Sequence, residues 1–150
     1  MKIKDFLSLE AVFIDSKSAN KKQILEALSS KAEEKTGVDA RVVFEALVER
    51  ERLGTTGVGK GVALPHTRME GLKKIYCAFA RVNPVDFDAV DGKMVDLVFL
   101  LLVPEKDGAD HLKALARLSR LLRDEATAES LRNAKDVNAL YDIILNNDID

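Results

Sequence analysis

Cysteine is almost missing from this chain: Cys77 is the only thiol in 150 residues, so no internal disulfide framework is available. That lack fits a reducing compartment, and a cytoplasmic location is expected. The thiol itself lies in an apolar run, residues 75–82, where it reads as a small buried hydrophobe. Charge of one sign is also lacking. Lys and Arg total 23 against 25 Asp and Glu, a net charge of −2, and the basic residues are scattered among acids. Nucleic-acid binding, which leaves a basic excess or stripe, is therefore not expected. Long hydrophobic runs are missing too. The longest, residues 97–103, is far short of a bilayer span, and Met1-Lys2-Ile3-Lys4-Asp5 has no apolar core for a signal peptide. No membrane insertion is expected. Two histidines and one cysteine, widely spaced, make no zinc pattern, so no metal is expected either.

What remains is an ordinary globular composition, with 47% hydrophobic and 32% charged residues and no internal repeat or low-complexity linker. A single domain over residues 1–150 is the natural reading for this length. The period of the apolar residues predicts its parts. A short strand at 11–14 precedes a helix that Ser18 can cap, with Ile24, Leu25, Leu28 and Ala32 on one face. Asp39 caps a second helix carrying Val43, Phe44, Leu47 and Val48, and Gly54 stands at its stop. Strands are predicted at 62–64, 74–82 and 94–103, the last covered on both faces from Leu97 onward. Helix returns after Pro104, with Asp110 as cap and Leu112, Leu115, Leu118, Leu121 and Leu122 turned inward. Two shorter helices follow near 126–134 and 137–145. The sum is an α/β fold: a central mixed sheet with helices on both faces.

The most informative stretch is Gly54-Thr55-Thr56-Gly57-Val58-Gly59-Lys60-Gly61-Val62-Ala63-Leu64-Pro65-His66. Four glycines within eight residues let main-chain amides approach a ligand, and such amides can form an anion nest. Thr55, Thr56, Gly57, Gly59 and Gly61 are the candidate phosphoryl-binding loop. The same stretch fits most of a Walker A pattern through Lys60. Gly61, however, stands where that motif needs Ser or Thr, and a charged helix precedes the loop where a strand is required.

His66 closes the loop, stiffened by Pro65 before it. Alone, it could be a histidine ending a strand and bonding a carbonyl; beside a nest it can be a nucleophile or base. His111 follows the predicted cap Asp110, in a first-turn setting that favours bound anions. Arg50 precedes the loop and offers a planar fork for phosphate oxygens, while Glu49, Glu51 and Arg52 read as a solvated face. A nucleophilic nitrogen, a second imidazole, a guanidinium and a nest together suit phosphoryl transfer.

On these residues the chain resembles the enzyme IIA domains of the bacterial phosphoenolpyruvate-dependent phosphotransferase system, in the fructose/mannitol superfamily. The nitrogen-regulatory branch is the nearest. Besides residues 50–66, Asp86-Phe87-Asp88-Ala89, the run from Val95 to Pro104, and His111-Leu112 carry the likeness, which spans essentially the whole chain. The resemblance implies a mixed sheet between helices and no cofactor, the phosphoryl group coming ultimately from phosphoenolpyruvate. It implies His66 as the phosphorylated residue, on Nε2, with His111 and Arg50 stabilising the group. Thr55 fits the Ser or Thr usual there, whereas Thr67 stands where a glycine is commoner. The implied donor is a histidine phosphocarrier protein; the implied regulatory targets include sensor kinases and potassium transport systems. Two other roles stay open: a sugar-specific enzyme IIA serving an enzyme IIB, and a docking module switched by phosphorylation.

Overall fold

The apolar run at 97–103 lies at the centre of a six-stranded sheet. The structure, a computed structural model, describes residues 1–106 and 108–150. Strands are β1 (Leu7–Asp15), β2 (Gly57–Gly59), β3 (Val62–Ala63), β4 (His66–Met69), β5 (Tyr76–Val85) and β6 (Val95–Pro104). The order is β1-β5-β6-β3-β2, with β4 also paired to β6. β5 runs antiparallel to β6, whereas β1 is parallel to β5, and β3 and β4 are parallel to β6. Every residue from Leu97 to Leu102 is at most 1% exposed, as a strand covered on both faces must be.

β3 and β4 occupy one lane beside β6: Val62 and Ala63 face Leu97 and Val98, and His66 to Met69 face Leu101 to Pro104. The break between them falls at Leu64 and Pro65. Pro65 has no N–H to give, but its carbonyl accepts from the Leu101 amide at 3.0 Å, so the lane continues through it. His66 is thereby fixed in register against the buried central strand.

Five helices cover the sheet: α1 (Lys21–Thr36), α2 (Ala40–Arg52), α3 (Asp110–Arg123), α4 (Glu125–Asn133) and α5 (Val137–Asn146). α1 and α2 pack on each other and lie against β5 and β4; α3 to α5 follow one another and lie against β6 and β1. Among the described residues no helix is long and apolar enough to cross a membrane.

Several boundaries differ from expectation, each for a local reason. The first strand begins at Leu7 rather than residue 11, because the start of the chain pairs with β5 at Leu7 and Cys77. Asn20, not Ser18, caps α1, its side chain accepting from the Gln23 amide at 2.9 Å; Ser18 bonds the Asp15 carboxylate instead. Asp39 caps α2 as expected, and Gly54 follows its end with φ +151°. Asp110 is the first residue of α3 rather than its cap. The buried stripe of α3 runs through Ala114, Leu118, Leu121 and Leu122, which leaves Leu112 on the other side, 61% exposed, and Leu115 half-buried. β2 and β4 were not expected: each is too short to show a period.

Candidate active site

His66 is the first residue of β4, half-buried, and its Nδ1 lies 2.6 Å from the carbonyl oxygen of Leu64. A carbonyl only accepts, so Nδ1 carries the hydrogen and the Nε2 lone pair is left for chemistry. Leu64 is itself anchored, its amide donating to Thr56 O at 2.9 Å. The His66 pKa lies below the ordinary imidazole value. Burial is the main cause; the Leu64 hydrogen bond opposes it, Arg50 adds to it, Glu51 opposes and His111 adds again. The outcome is a neutral imidazole at neutral pH, poised as a nucleophile.

Arg50 and His111 thus both stand near enough to bear on His66 electrostatically. Arg50, in the last turn of α2, donates from Nη1 to Gly54 O at 3.0 Å, which bends its fork back over the start of the glycine loop. His111, in the first turn of α3, has Nδ1 at 2.9 Å from Gly108 O. The guanidinium of Arg68 also reaches His111, with Nη2 3.2 Å from each ring nitrogen. Arg68 was missed by sequence reasoning. Two residues beyond His66 on β4, it shares the His66 face, but a strand of four residues shows no period in the sequence. Thr67, between them, has the register of Leu102 and belongs to the opposite face.

Glu51 corrects an expectation. It is not part of a solvated face: its side chain is only 7% exposed, accepts from the Thr56 amide at 3.1 Å and from the Thr56 hydroxyl, and pairs with Lys21 at 2.8 Å. Adjacent helix positions point about 100° apart. Arg50 therefore bears on His66 while Glu51 grips the loop that leads to it.

The glycine loop is built as a β2–β3 hairpin rather than a strand-loop-helix cradle. Three of its amides already have acceptors: Thr56 on Glu51, Gly57 on Thr55 Oγ1 at 3.0 Å, and Lys60 on Asp91 Oδ2 at 2.9 Å. The glycines serve close packing. A Cβ at Gly57 would lie 2.9 Å from Ala89 Cα, and one at Gly61 (φ +81°) would lie 2.5 Å from Arg132 Nη2. Thr55 donates to Phe87 O at 2.9 Å, which explains why Asp86-Phe87-Asp88-Ala89 accompanies the loop in the sequence: the two segments are one layer. Lys60 points to Glu125 at 3.3 Å. A strand, β3, follows the loop where a Walker A motif requires a helix.

A neutral nucleophilic imidazole with a second imidazole and two guanidiniums around it can accept a phosphoryl group and stabilise its equatorial oxygens. Comparison with known proteins bears on that chemistry. Residues 5–147 match the family described as phosphoenolpyruvate-dependent sugar phosphotransferase system, EIIA 2. The chain is 52% identical over 145 residues to a nitrogen regulatory protein of Bradyrhizobium diazoefficiens, covering 96% of this chain and 95% of that one. It is 38% identical to a fructose-specific EIIA component of Haloferax volcanii, over 91% of this chain and 90% of the other. Among solved structures it is similar to the nitrogen regulatory protein IIA-Ntr from Neisseria meningitidis, with a TM-score of 0.89 and 38% identity, covering 95% and 98% of the two chains.

Proposed function

The chain belongs to the phosphoenolpyruvate-dependent sugar phosphotransferase system EIIA 2 family, and we propose that it is a regulatory phosphoryl carrier whose acceptor atom is His66 Nε2. Membership makes it a phosphotransferase component; the acceptor, the donor and the output are the proposal. The Nδ1 contact to Leu64 O is the observation that carries it, since it leaves Nε2 unprotonated. In the reaction, that lone pair attacks the phosphorus of a phosphohistidine on a histidine phosphocarrier protein. The N–P bond to the donor breaks and its electron pair returns to the donor ring. The positive charge developing on His66 is met by the Leu64 carbonyl; the charge on the phosphoryl oxygens is met by Arg50 and the His111–Arg68 pair.

No cofactor enters this scheme, and phosphoenolpyruvate is the ultimate source. The protein would work in the cytoplasm, its phosphorylation state read by regulatory targets such as sensor kinases or potassium transport systems. The experiment is to incubate the chain with phosphoenolpyruvate, enzyme I and the phosphocarrier and to follow an acid-labile adduct. Wild type should be labelled stoichiometrically and His66→Ala not at all; equal labelling of both would end the assignment.

A second reading is favoured by the fructose-specific relative: a sugar-specific EIIA delivering to an enzyme IIB. Rapid discharge of the labelled chain by an added fructose-type enzyme IIB would select that reading. Persistence of the label, with partner binding that depends on it, would select the regulatory one.

A further inference from the structure

The largest departure from regular pairing in the sheet lies across β6 from His66, beginning where Cys77 of β5 faces Leu101. β1 and β5 align at Leu7 and Cys77, and next at Val12 and Phe79, so β1 advances five residues where β5 advances two. The surplus is bulged out, and the ladder opens beside the start of β5. A cavity of about 430 Å³ lies there, walled by the start of β1, the end of α1 and the 71–75 turn. It shares no residue with the His66 site, from which β6 separates it.

Its chemistry is lopsided. Lys4, Lys35, Lys73 and Lys74 line it against a single carboxylate, Asp5, which already accepts the Lys2 amide at 2.8 Å. Lys4, Lys73 and Lys74 form no ion pair among the described residues, although the chain as a whole is slightly acidic. Phe6, Leu7, Leu72 and Ile75 supply apolar wall. Tyr76, only 5% exposed, also lines the cavity. Its hydroxyl is the one buried side-chain polar atom among the described residues without a hydrogen-bond partner. No water-sized atom reaches that hydroxyl, so Tyr76 gives the cavity part of its wall and no hydrogen bond to an occupant.

We propose that this cavity binds a small organic phosphate, the phosphate lying among the lysines and the organic body on the apolar wall. The lysines present more positive charge than one carboxylate would balance, and ammonium groups are established phosphate partners. The volume exceeds that of inorganic phosphate several-fold and falls in the range of small-molecule sites, which leaves room for an organic body. The proposal does not depend on His66 being phosphorylated.

The test uses the full chain, isotope-labelled and titrated separately with AMP, ribose 5-phosphate, inorganic phosphate and citrate while amide shifts are followed. AMP should give saturable shifts confined to the start of β1, residues 71–77 and the end of α1. Ribose 5-phosphate should bind more weakly and inorganic phosphate most weakly. Lys73→Ala with Lys74→Ala should weaken AMP about tenfold or more, the loss expected from removing charge-assisted bonds. Four results would overturn the proposal: no saturable shift at these residues with AMP, shifts centred on the His66 face, an affinity unmoved by the lysine substitutions, or citrate binding the cavity more tightly than AMP.

Discussion

The imidazole of His66 reaches back across Pro65 to the carbonyl of Leu64, closing a 2.6 Å contact between residues only two apart. That closure depends on the break in the β3–β4 lane, which turns the Leu64 carbonyl away from the ladder and toward the ring while Pro65 keeps the register with Leu101. Tautomer and position are set together by one backbone irregularity.

The pH dependence of the acceptor follows. Burial favours the neutral imidazole, so its pKa in the folded chain lies below that of an ordinary histidine. Phosphoryl acceptance should therefore be flat through neutral pH and fall only below the ordinary imidazole range. The folded state also takes up this proton less readily than the unfolded state. The stability associated with neutral His66 is present above the unfolded pKa and is lost as pH falls through the folded one. Titration of the His66 ring signals by NMR checks this; a midpoint at or above the ordinary value would contradict it.

Glu51 should matter to the fold before it matters to the chemistry. Glu51→Ala removes the acceptor of the Thr56 amide and hydroxyl and the partner of Lys21. Its expected cost is about 2 kcal/mol, the scale of hydrogen bonds to a charged group. Urea denaturation measures it. A loss below a few tenths of a kcal/mol would mean that the loop is held by other contacts.

Gly57, in the loop, and Gly108, outside it ahead of α3, separate by packing. At Gly57 a Cβ would strike the Ala89 backbone at 2.9 Å, and backbone yields less than a flexible side chain. Gly57→Ala should cost about 1–3 kcal/mol, the usual penalty for overpacking. Gly108 has open space and an ordinary φ, so Gly108→Ala should stay within about 0.5 kcal/mol of wild type. Thermal or urea melting of the two variants side by side gives the comparison, and similar losses in both would refute the packing argument.

These cases show what the sequence could carry. The long apolar strand, the Asp39 cap and the nearness of Arg50 and His111 to His66 were legible because each rests on a local period, a cap residue or a motif. The role of Glu51 was not, since a carboxylate in the run Glu49-Arg50-Glu51-Arg52 shows no preference for its buried neighbour Thr56 until the loop folds back. The glycines were legible as necessary but not as to why. From sequence they suggest a nest, whereas in the fold three of the amides in their loop are satisfied internally and the missing side chains make room for Ala89 and Arg132. β4, four residues long, carried too few positions to reveal its alternation, and Arg68 was hidden with it.

Arg68 gives the sharpest functional prediction. Its Nη2 lies 3.2 Å from both nitrogens of His111, and it projects from the same strand face as His66, so it joins the acceptor to the second imidazole. Arg68 is exposed, so Arg68→Ala should leave the melting temperature within a degree or two, as for most surface substitutions. The rate of phosphoryl acceptance should nonetheless fall about tenfold, a smaller loss than for a fully enclosed oxyanion donor because water partly replaces the guanidinium. Arg68→Lys should recover only part of it, since an ammonium keeps the charge but loses the planar guanidinium that lies against the His111 ring. Rapid-quench labelling of the three proteins reads the rates. If Arg68→Ala accepts the phosphoryl group as fast as wild type, the residue belongs to the surface, and the burden of charge stabilisation falls on Arg50 and His111 alone.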